Sequence, residues 1–317
     1  MAQKGRLVGI DVAKAKIDAA IRSGPETSFA NNPEGRAALV AWLREHGIGK
    51  AVMEASGGYE RSWAELLRKA GLEVAIVDPK RVRHFAKSAG RLAKNDAIDA
   101  RMIAWFGEVF DDLASQAGDA DREELDRMVT TRLGILGLKD QIDNWNEHEQ
   151  PKAVQKILQA LRKAVDAQLA KLQQLIATKI DRTEPFAQRA EIVCSVPGLA
   201  GAAASGVIAF FPELGRIDRQ AAAALLGAAP FDDDSGERHG ERHIRGGRRK
   251  LRNLLFMPVL SAATRHNPVL KAHYQQLIVR GKKPKVALIA CMRKLIGILN
   301  TMLARGEKWD STKHAVA

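Results

Sequence analysis

Four acidic residues in the first third of the chain have the residue type and the context of metal ligands. Asp11 interrupts the apolar run Leu7–Val12, and Glu54 ends a second apolar run just before a Ser-Gly-Gly turn. Asp96 and Asp99 are three residues apart, so on a helix they share one face. Two strand carboxylates facing two helix carboxylates can hold two Mg²⁺ ions about 4 Å apart, an arrangement that suits phosphoryl transfer.

Each of these acids alone also has an ordinary explanation. Asp11 fits a strand end, Glu54 a turn and Asp96 a helix cap. A buried carboxylate is costly unless it is paired or bound to a cation, which favours a common role for the set. Their order on the predicted strands and helix therefore favours a nuclease site over four unrelated positions.

Ser235 is a candidate nucleophile far downstream of the acids. No glycine precedes it at the spacing of an esterase elbow, and a serine hydroxyl needs help from a base or a metal. The run Asp232–Asp234 just before it is expected to repel a phosphate. The basic residues that follow are predicted to contact phosphates. They are Arg238, Arg242, Arg245, Arg248, Arg249, Lys250 and Arg252.

The elements that must position the four acids form an α/β pattern. Short apolar runs predict strands, and spacings of three and four predict helices. The order is strand, strand, strand, helix, strand, helix, strand. The strands are predicted at Leu7–Val12, Ile17–Ile21, Thr27–Ala30, Ala51–Glu54 and Glu73–Val77, with helices ending near Gly47 and Ala70. Crossover helices between short strands imply a mixed sheet with helices on its faces.

The rest of the chain is predicted to be mostly α-helical. From Ile157 onward, apolar residues recur at spacings of three and four, which indicates a helical hairpin or a coiled coil, and Pro151 separates two helices. The region after Arg189 is rich in Ala and Gly and also helical. The fold class is therefore α/β plus α, with domains predicted at 1–110, 111–188 and 189–317.

Charge points to a polyanionic partner. The chain has a net charge of +13, and Ala190–Ala317 carries 20 Lys and Arg against 10 Asp and Glu. Aromatic residues make up only 5%, so backbone contacts are expected rather than base stacking. No uninterrupted membrane-length apolar run and no signal segment is visible, so a cytoplasmic protein is expected. Cys194 and Cys291 are predicted to be reduced core residues.

The chain resembles the bridge-RNA-guided insertion-sequence transposases of insertion-sequence family 110, whose first domain is similar to the Holliday-junction resolvase RuvC. The resemblance covers nearly the whole length and depends on several short motifs in matching order. These are Gly9–Lys14, Glu54–Tyr59, Asp96–Met102, Val196–Gly198, Gly227 to Pro230, Ser235–Gly236, Gly247 and Leu251–Arg252.

The resemblance implies a ribonuclease-H-like sheet in which Asp11, Glu54, Asp96 and Asp99 bind Mg²⁺. It implies that Ser235 attacks a DNA phosphate and forms a covalent phosphoserine link. The carboxylates of one subunit would act with the serine of another, in a homodimer that assembles into a tetramer through the helical middle region. A noncoding guide RNA would pair with target and donor DNA, and the protein would associate with the bacterial nucleoid.

Two alternatives remain open at this point. One is a structure-selective endonuclease of the RuvC type, which uses the same carboxylates and water as the nucleophile. The other is a noncatalytic DNA- or RNA-binding assembly factor whose carboxylates are structural.

Overall fold

The computed structural model describes residues 6–90, 96–110, 119–231 and 243–314. The chain folds as two compact units, Met1–Gly118 and Asp119–Ala317. From Asp119 onward, the predicted middle region lies in the same unit as the predicted C-terminal region. The division into three domains stays a prediction.

The first unit is built on a mixed five-stranded sheet with the order β3-β2-β1-β4-β5. The outer strands β2 and β3 are antiparallel additions to β1, whereas β1, β4 and β5 run parallel. The strands are β1 (Arg6–Val12), β2 (Lys16–Ala20), β3 (Glu26–Ala30), β4 (Ile48–Glu54) and β5 (Glu73–Val77).

Helices cover both faces of this sheet. They are α1 (Pro33–Glu45), α2 (Tyr59–Lys69), α3 (Pro79–Ser88) and α4 (Asp96–Val109). On one face, Ile10 and Met53 pack with Leu39 of α1 and Trp63 of α2. On the other, side chains such as Val52 pack with α3 and α4. Alternate residues of each strand thus serve two separate cores, as expected for a pleated sheet between helical layers.

The second unit begins with a long antiparallel helical hairpin, α5 (Ala120–Asn146) and α6 (Lys152–Arg182). Ion pairs join its two ends: Lys179 Nζ lies 2.7 Å from Asp121 Oδ1, and Arg162 Nε lies 2.5 Å from Asp143 Oδ1. Pro151 lies between the helices, as predicted.

Shorter helices complete the second unit around the buried helix α8. They are α7 (Glu184–Cys194), α8 (Gly201–Phe210), α9 (Arg219–Leu226), α10 (Arg249–Ser261), a π-helical turn (Ala262–His266), α11 (Pro268–Val279), α12 (Pro284–Arg305) and α13 (Ser311–His314). A two-stranded ladder joins β6 (Pro230–Phe231) to β7 (His243–Ile244). By length and composition α12 could cross a membrane, but 67% of its apolar window is buried inside the protein.

The predicted α/β plus α fold class is confirmed, as is the order of the seven elements from β1 to β5. The prediction for the cysteines is wrong for one of them. Cys291 is buried, but Cys194, the last residue of α7, is exposed. Apolar neighbours in sequence do not bury a helical residue unless they share its face.

Candidate active site

Strands β1 and β4 place Asp11 and Glu54 side by side. The parallel register pairs Gly9 with Val52 and Ile10 with Met53, so Asp11 and Glu54 are the next partners at the carboxyl ends of the two strands. Because side chains alternate along a strand, Asp11 shares a face with Gly9, and Glu54 shares it with Val52. Both carboxylates are partly buried there.

The same face is covered by α4 at very close range. A Cβ atom built on Gly9 would lie 2.1 Å from the backbone oxygen of Ala100 and 2.3 Å from the backbone nitrogen of Ala104. Only glycine permits the backbones of β1 and α4 to approach this closely. Gly9 therefore sets the distance between the strand of Asp11 and the helix of Asp99.

The direction of α4 brings its acidic first turn toward Asp11. Gly107, near the end of α4, lies against Leu7 at the start of β1, whereas Ala100 lies against Gly9. The helix and the strand therefore run in opposite directions. Asp99 directly precedes Ala100 and Asp96 lies about one turn before it, toward the end of β1 that carries Asp11. Asp99 is partly buried, and the side chain of Asp96 lies outside the described part of the chain.

A further carboxylate, Asp18, was missed by sequence reasoning. The antiparallel register places Asp18 of β2 directly opposite Asp11, and cross-strand partners point to the same face. Asp18 is 7% exposed, accepts a short hydrogen bond from Ser28 Oγ and has Lys16 Nζ at 2.9 Å. Like charges directly opposite each other destabilise a sheet unless cations offset them. The register of the β1–β2 hairpin is the signal from which Asp18 could have been identified as a neighbour of Asp11.

The turn after Glu54 is held by a second acid that the sequence motif did not single out. Glu60 is 5% exposed, and its Oε2 accepts hydrogen bonds from Ser56 N at 2.9 Å, Ser56 Oγ at 3.0 Å and Gly58 N at 2.8 Å. Gly58 has a φ of 114°, in the left-handed region that favours glycine. Glu60 thus fastens the turn at the end of β4, where Glu54 stands.

This donor set fits Mg²⁺ in kind, because carboxylate oxygens are its preferred protein ligands. The facing pair of Asp11 and Asp18 favours nearby positive charge, and Lys16 supplies part of it at Asp18. Within the described residues, no group of three or more His, Cys, Asp or Glu side chains is placed to hold a metal ion. The four-carboxylate metal site stays a prediction.

Ser235, Arg238 and Arg242 lie outside the described residues, but the two ends of their segment are described. Pro230 pairs with Ile244 and Phe231 with His243. Below this ladder, Arg252 Nη1 donates hydrogen bonds to three backbone oxygens. The acceptors are Leu226 at 3.2 Å, Gly227 at 3.1 Å and Gly246 at 2.9 Å.

The backbone is crowded around this guanidinium group. A Cβ on Gly227 would lie 2.0 Å from Arg252 Nη1, and a Cβ on Gly247 would lie 2.3 Å from the backbone nitrogen of Gly227. Both glycines have positive φ, 78° and 67°. The spacing of Gly227, Gly247 and Arg252 thus has a physical reason, since together they bring the two ends of the segment together.

The predicted phosphate contacts divide into two groups. Arg248 donates to both carboxylate oxygens of Glu213, at 2.7 and 2.6 Å, and its guanidinium carbon lies 4.6 Å from the ring centroid of Phe211. Arg248 and Arg252 therefore bind groups inside the protein and support the base of the segment. The side chains of Arg245, Arg249 and Lys250 are exposed.

Comparison with known proteins gives two family matches. A sequence family described as "Transposase" matches residues 8–141, and the "Transposase IS116/IS110/IS902 family" matches residues 190–275. The first match contains the four predicted metal ligands, and the second contains Ser235 and the predicted basic contacts.

Similar proteins extend over the whole chain. The "Pilin gene-inverting protein" of Moraxella lacunata and that of Moraxella bovis are each 24% identical to it over 336 aligned residues, covering 97% of this chain and 98% of theirs. An uncharacterised 43.6 kDa protein of insertion element IS110 from Streptomyces coelicolor is 33% identical over 90 residues, covering 28% of this chain and 22% of that protein.

These matches define an enzyme that acts on DNA, of the transposase and recombinase class. The carboxylate-bearing sheet falls within the first match, and helices α8, α9 and α10 fall within the second. The chain belongs to the IS110-type family of transposases and recombinases.

Proposed function

We propose that this recombinase cuts and rejoins DNA with Mg²⁺ held by Asp11, Glu54, Asp96 and Asp99, and with Ser235 as the nucleophile. The observation that carries the proposal is the register that aligns Asp11 with Glu54 under the first turn of α4. Carboxylates gathered from two strands and one helix suit a pair of divalent ions. The match to transposase families supports DNA as the substrate.

The proposed reaction is a phosphoryl transfer to the protein and back. Ser235 Oγ attacks a DNA phosphorus, a serine–phosphate bond forms, and the bond from phosphorus to one deoxyribose oxygen breaks. The serine proton leaves to solvent, and the released deoxyribose oxygen takes up a proton. A deoxyribose hydroxyl of another strand then attacks the same phosphorus and releases the serine. Mg²⁺, when bound, offsets the negative charge on the phosphate and assists the ionisation of the attacking hydroxyl.

Because each transfer exchanges one phosphodiester-type bond for another, no ATP is needed for resealing. Strand exchange between two sites in one DNA molecule inverts the intervening segment or excises it. The name of the two Moraxella relatives describes an inversion of this kind. We therefore propose reciprocal strand exchange as the basic reaction of this chain.

A covalent adduct separates this mechanism from that of a water-using endonuclease. Ser235→Ala is expected to abolish a protein–DNA adduct on nicked duplex substrates, detected on a denaturing gel, whereas Ser311→Ala, at an exposed serine of the same unit, keeps it. A Ser235→Ala protein that still cuts DNA would favour the RuvC-like endonuclease.

Asp11→Asn should abolish cutting, and Asp140→Asn at an exposed position of α5 should not. Unchanged Mg²⁺-dependent recombination in Asp11→Asn would favour a noncatalytic assembly factor.

We also propose that a second copy of the chain docks on the α5–α6 hairpin. Six large apolar side chains of the hairpin are exposed, a feature typical of interfaces. They are Leu138, Trp145, Val154, Ile157, Leu161 and Leu175. Docking there is consistent with a homodimer, and with its assembly into a tetramer in which the serine of one subunit acts with the carboxylates of another.

Light scattering tests this interface. Trp145, which is 50% exposed, is replaced by Glu, and the expected result is a shift of the dimer toward monomer at micromolar concentration. Gln159→Glu adds the same charge at an exposed position of α6 and should leave the mass unchanged. An unchanged mass for Trp145→Glu would rule out this surface.

The guide RNA is the remaining part of the proposal, and it is supported only by the family resemblance. A noncoding RNA that pairs with target and donor DNA would leave the protein to contact mainly the backbone. Sequencing of RNA that copurifies with the chain tests it. A single structured transcript from beside the reading frame is expected, and a random sample of cellular RNA would argue against guiding. Association with the nucleoid would follow from binding to both nucleic acids.

A further inference from the structure

The positive charge of the chain is concentrated in one segment of the second unit. Residues 243–306 contain 14 Lys and Arg and no Asp or Glu. The chain as a whole has 50 basic and 37 acidic residues, which leaves 36 against 37 outside this segment. The whole net charge of +13 therefore arises from β7 to α12, well beyond the basic residues that follow Ser235.

The turn between α11 and α12 is exposed throughout. Arg280, Lys282, Lys283 and Lys285 are all exposed. Within the described part of the chain, none of them forms an ion pair with an acidic side chain. Val279 beside them is 88% exposed. Four cations thus face solvent within six residues.

The backbone of this turn is well defined. Gly281 has a φ of 77°, its N–H donates to Ile278 O at 2.9 Å, and Lys282 N donates to Leu277 O at 3.0 Å. These two bonds and the left-handed glycine form a Schellman motif, which ends α11. Pro284 then begins α12 with a fixed φ. The lysines are therefore held on a pre-organised backbone, which lowers the entropy cost of binding a ligand.

A row of cations continues from the turn into the body of the unit. Burial and the positive charges of Lys294 and Arg280 lower the pKa of His273, so these three groups lie near one another. Burial and the charge of Arg219 lower the pKa of Lys294 in the same way. A Cβ on Gly297 of α12 would lie 2.8 Å from Arg219 Nε, which fixes the side chain of Arg219 on that helix. The charges of Arg219 and Lys294 therefore add to the positive potential on this side of the unit.

The side chains of this surface favour a duplex over a single strand. Phe256 and Tyr274 are the aromatic residues of the segment, and both are partly buried against the core of the unit. Single-strand sites generally use exposed aromatic side chains for base stacking. A surface of Lys and Arg without them suits the phosphates of a double helix.

We propose that Arg280, Lys282, Lys283 and Lys285 form a DNA-backbone grip, defined as the α11–α12 turn, that binds double-stranded DNA independently of sequence. The grip rests on the proposed function in one respect, that DNA is the substrate. It acts apart from Ser235 and from the carboxylates, since its role is to hold the duplex rather than to react with it.

Salt dependence of binding tests the grip. Two triple variants are compared. The grip variant carries Lys282→Gln, Lys283→Gln and Lys285→Gln. The control carries Lys152→Gln, Lys156→Gln and Lys163→Gln, which removes three exposed charges from α6. Affinity for a DNA duplex is measured without divalent ions in a Ser235→Ala background. If each lysine contacts one phosphate, the slope of log Kobs against log salt falls by roughly 2.7 for the grip variant. Raising the salt concentration from about 50 to about 200 mM would then lower the DNA affinity of the parent protein roughly 40-fold more than that of the grip variant.

Three outcomes decide the matter. A smaller slope for the grip variant than for the α6 control on the DNA duplex supports the grip, whether or not an RNA duplex of the same length also binds less tightly. Equal slopes for the two variants overturn it, and so does a loss confined to the RNA duplex. Adduct formation by the unmodified chain is measured on the same DNA, so a failure of the serine chemistry would appear separately from a failure of the grip.

Discussion

Replacing Gly9 by Ala tests whether the close packing of α4 on β1 builds the candidate active site. The added Cβ would lie 2.1 Å from Ala100 O and 2.3 Å from Ala104 N, and both of these atoms belong to the backbone. Non-bonded carbon atoms pack best at about 3.5 to 4.0 Å, so α4 must move away from β1 by roughly 1 Å or more. Overpacking of this kind costs about 1–3 kcal/mol, and the upper end applies because no side chain can rotate out of the way.

The displacement also has a chemical consequence. Asp96 and Asp99 move with α4, whereas Asp11 stays on β1. Misplacement of catalytic groups by about 1 Å lowers rates by roughly 100-fold. Gly9→Ala is therefore expected to unfold at lower urea concentration and to cut DNA about 100-fold more slowly with Mg²⁺ present.

Gly137→Ala is the matched control for this experiment. Gly137 lies within α5, and a Cβ there would meet no atom within 4 Å. The same substitution is expected to stabilise the protein by about 0.5–1 kcal/mol, because alanine favours a helix interior over glycine. If Gly9→Ala kept both the stability and the cutting rate of the parent chain, the placement of α4 against Asp11 would be refuted.

Three further predictions concern single side chains. Glu60→Gln removes a charged acceptor of three hydrogen bonds and should lower the free energy of unfolding by about 1–3 kcal/mol, measured by urea denaturation, whereas an unchanged midpoint would show that the turn does not need it. Arg252→Lys cannot reproduce the planar contacts to three carbonyl oxygens, so adduct formation should fall at least tenfold with DNA affinity unchanged, and equal losses in both would contradict this role. Burial raises the pKa of Cys291 from 9.0 to about 11. Between these values the unfolded chain has released the thiol proton and the folded chain still binds it, so stability should fall as pH rises through that window, by at most about 3 kcal/mol. Cys291→Ala should flatten this part of the profile of stability against pH, and an identical slope would assign it to other groups.

Much of the fold could be predicted because the relevant patterns are local. A strand shows its two faces as alternation, and a helix shows its buried face at spacings of three and four, so β1, β4 and the first turn of α4 could be placed from residue types alone. The acids at Asp11 and Glu54 stood out because each interrupts or ends an apolar run. The basic excess of the C-terminal half was equally visible in composition.

Other features could not be read from local pattern, because they depend on which elements meet. Asp18 became a neighbour of Asp11 only through the register of the β1–β2 hairpin. Arg252 has the sequence context of one more phosphate contact, but it donates to three carbonyl oxygens that lie 6 to 26 residues away in the chain. Cys194 has the apolar sequence context of a core residue but is exposed at the end of α7.

The sequence by itself determined the period of each strand and helix, the types of the reacting groups and the sign of the charge, because each of these is a property of residues close together along the chain. Tertiary structure alone decided which carboxylates share a face, which arginines are used inside the protein and where the cations face solvent. The reason is physical: contacts between distant residues follow from how closely two backbones can approach, as at Gly9 and Gly227, and that distance is set only when the elements pack.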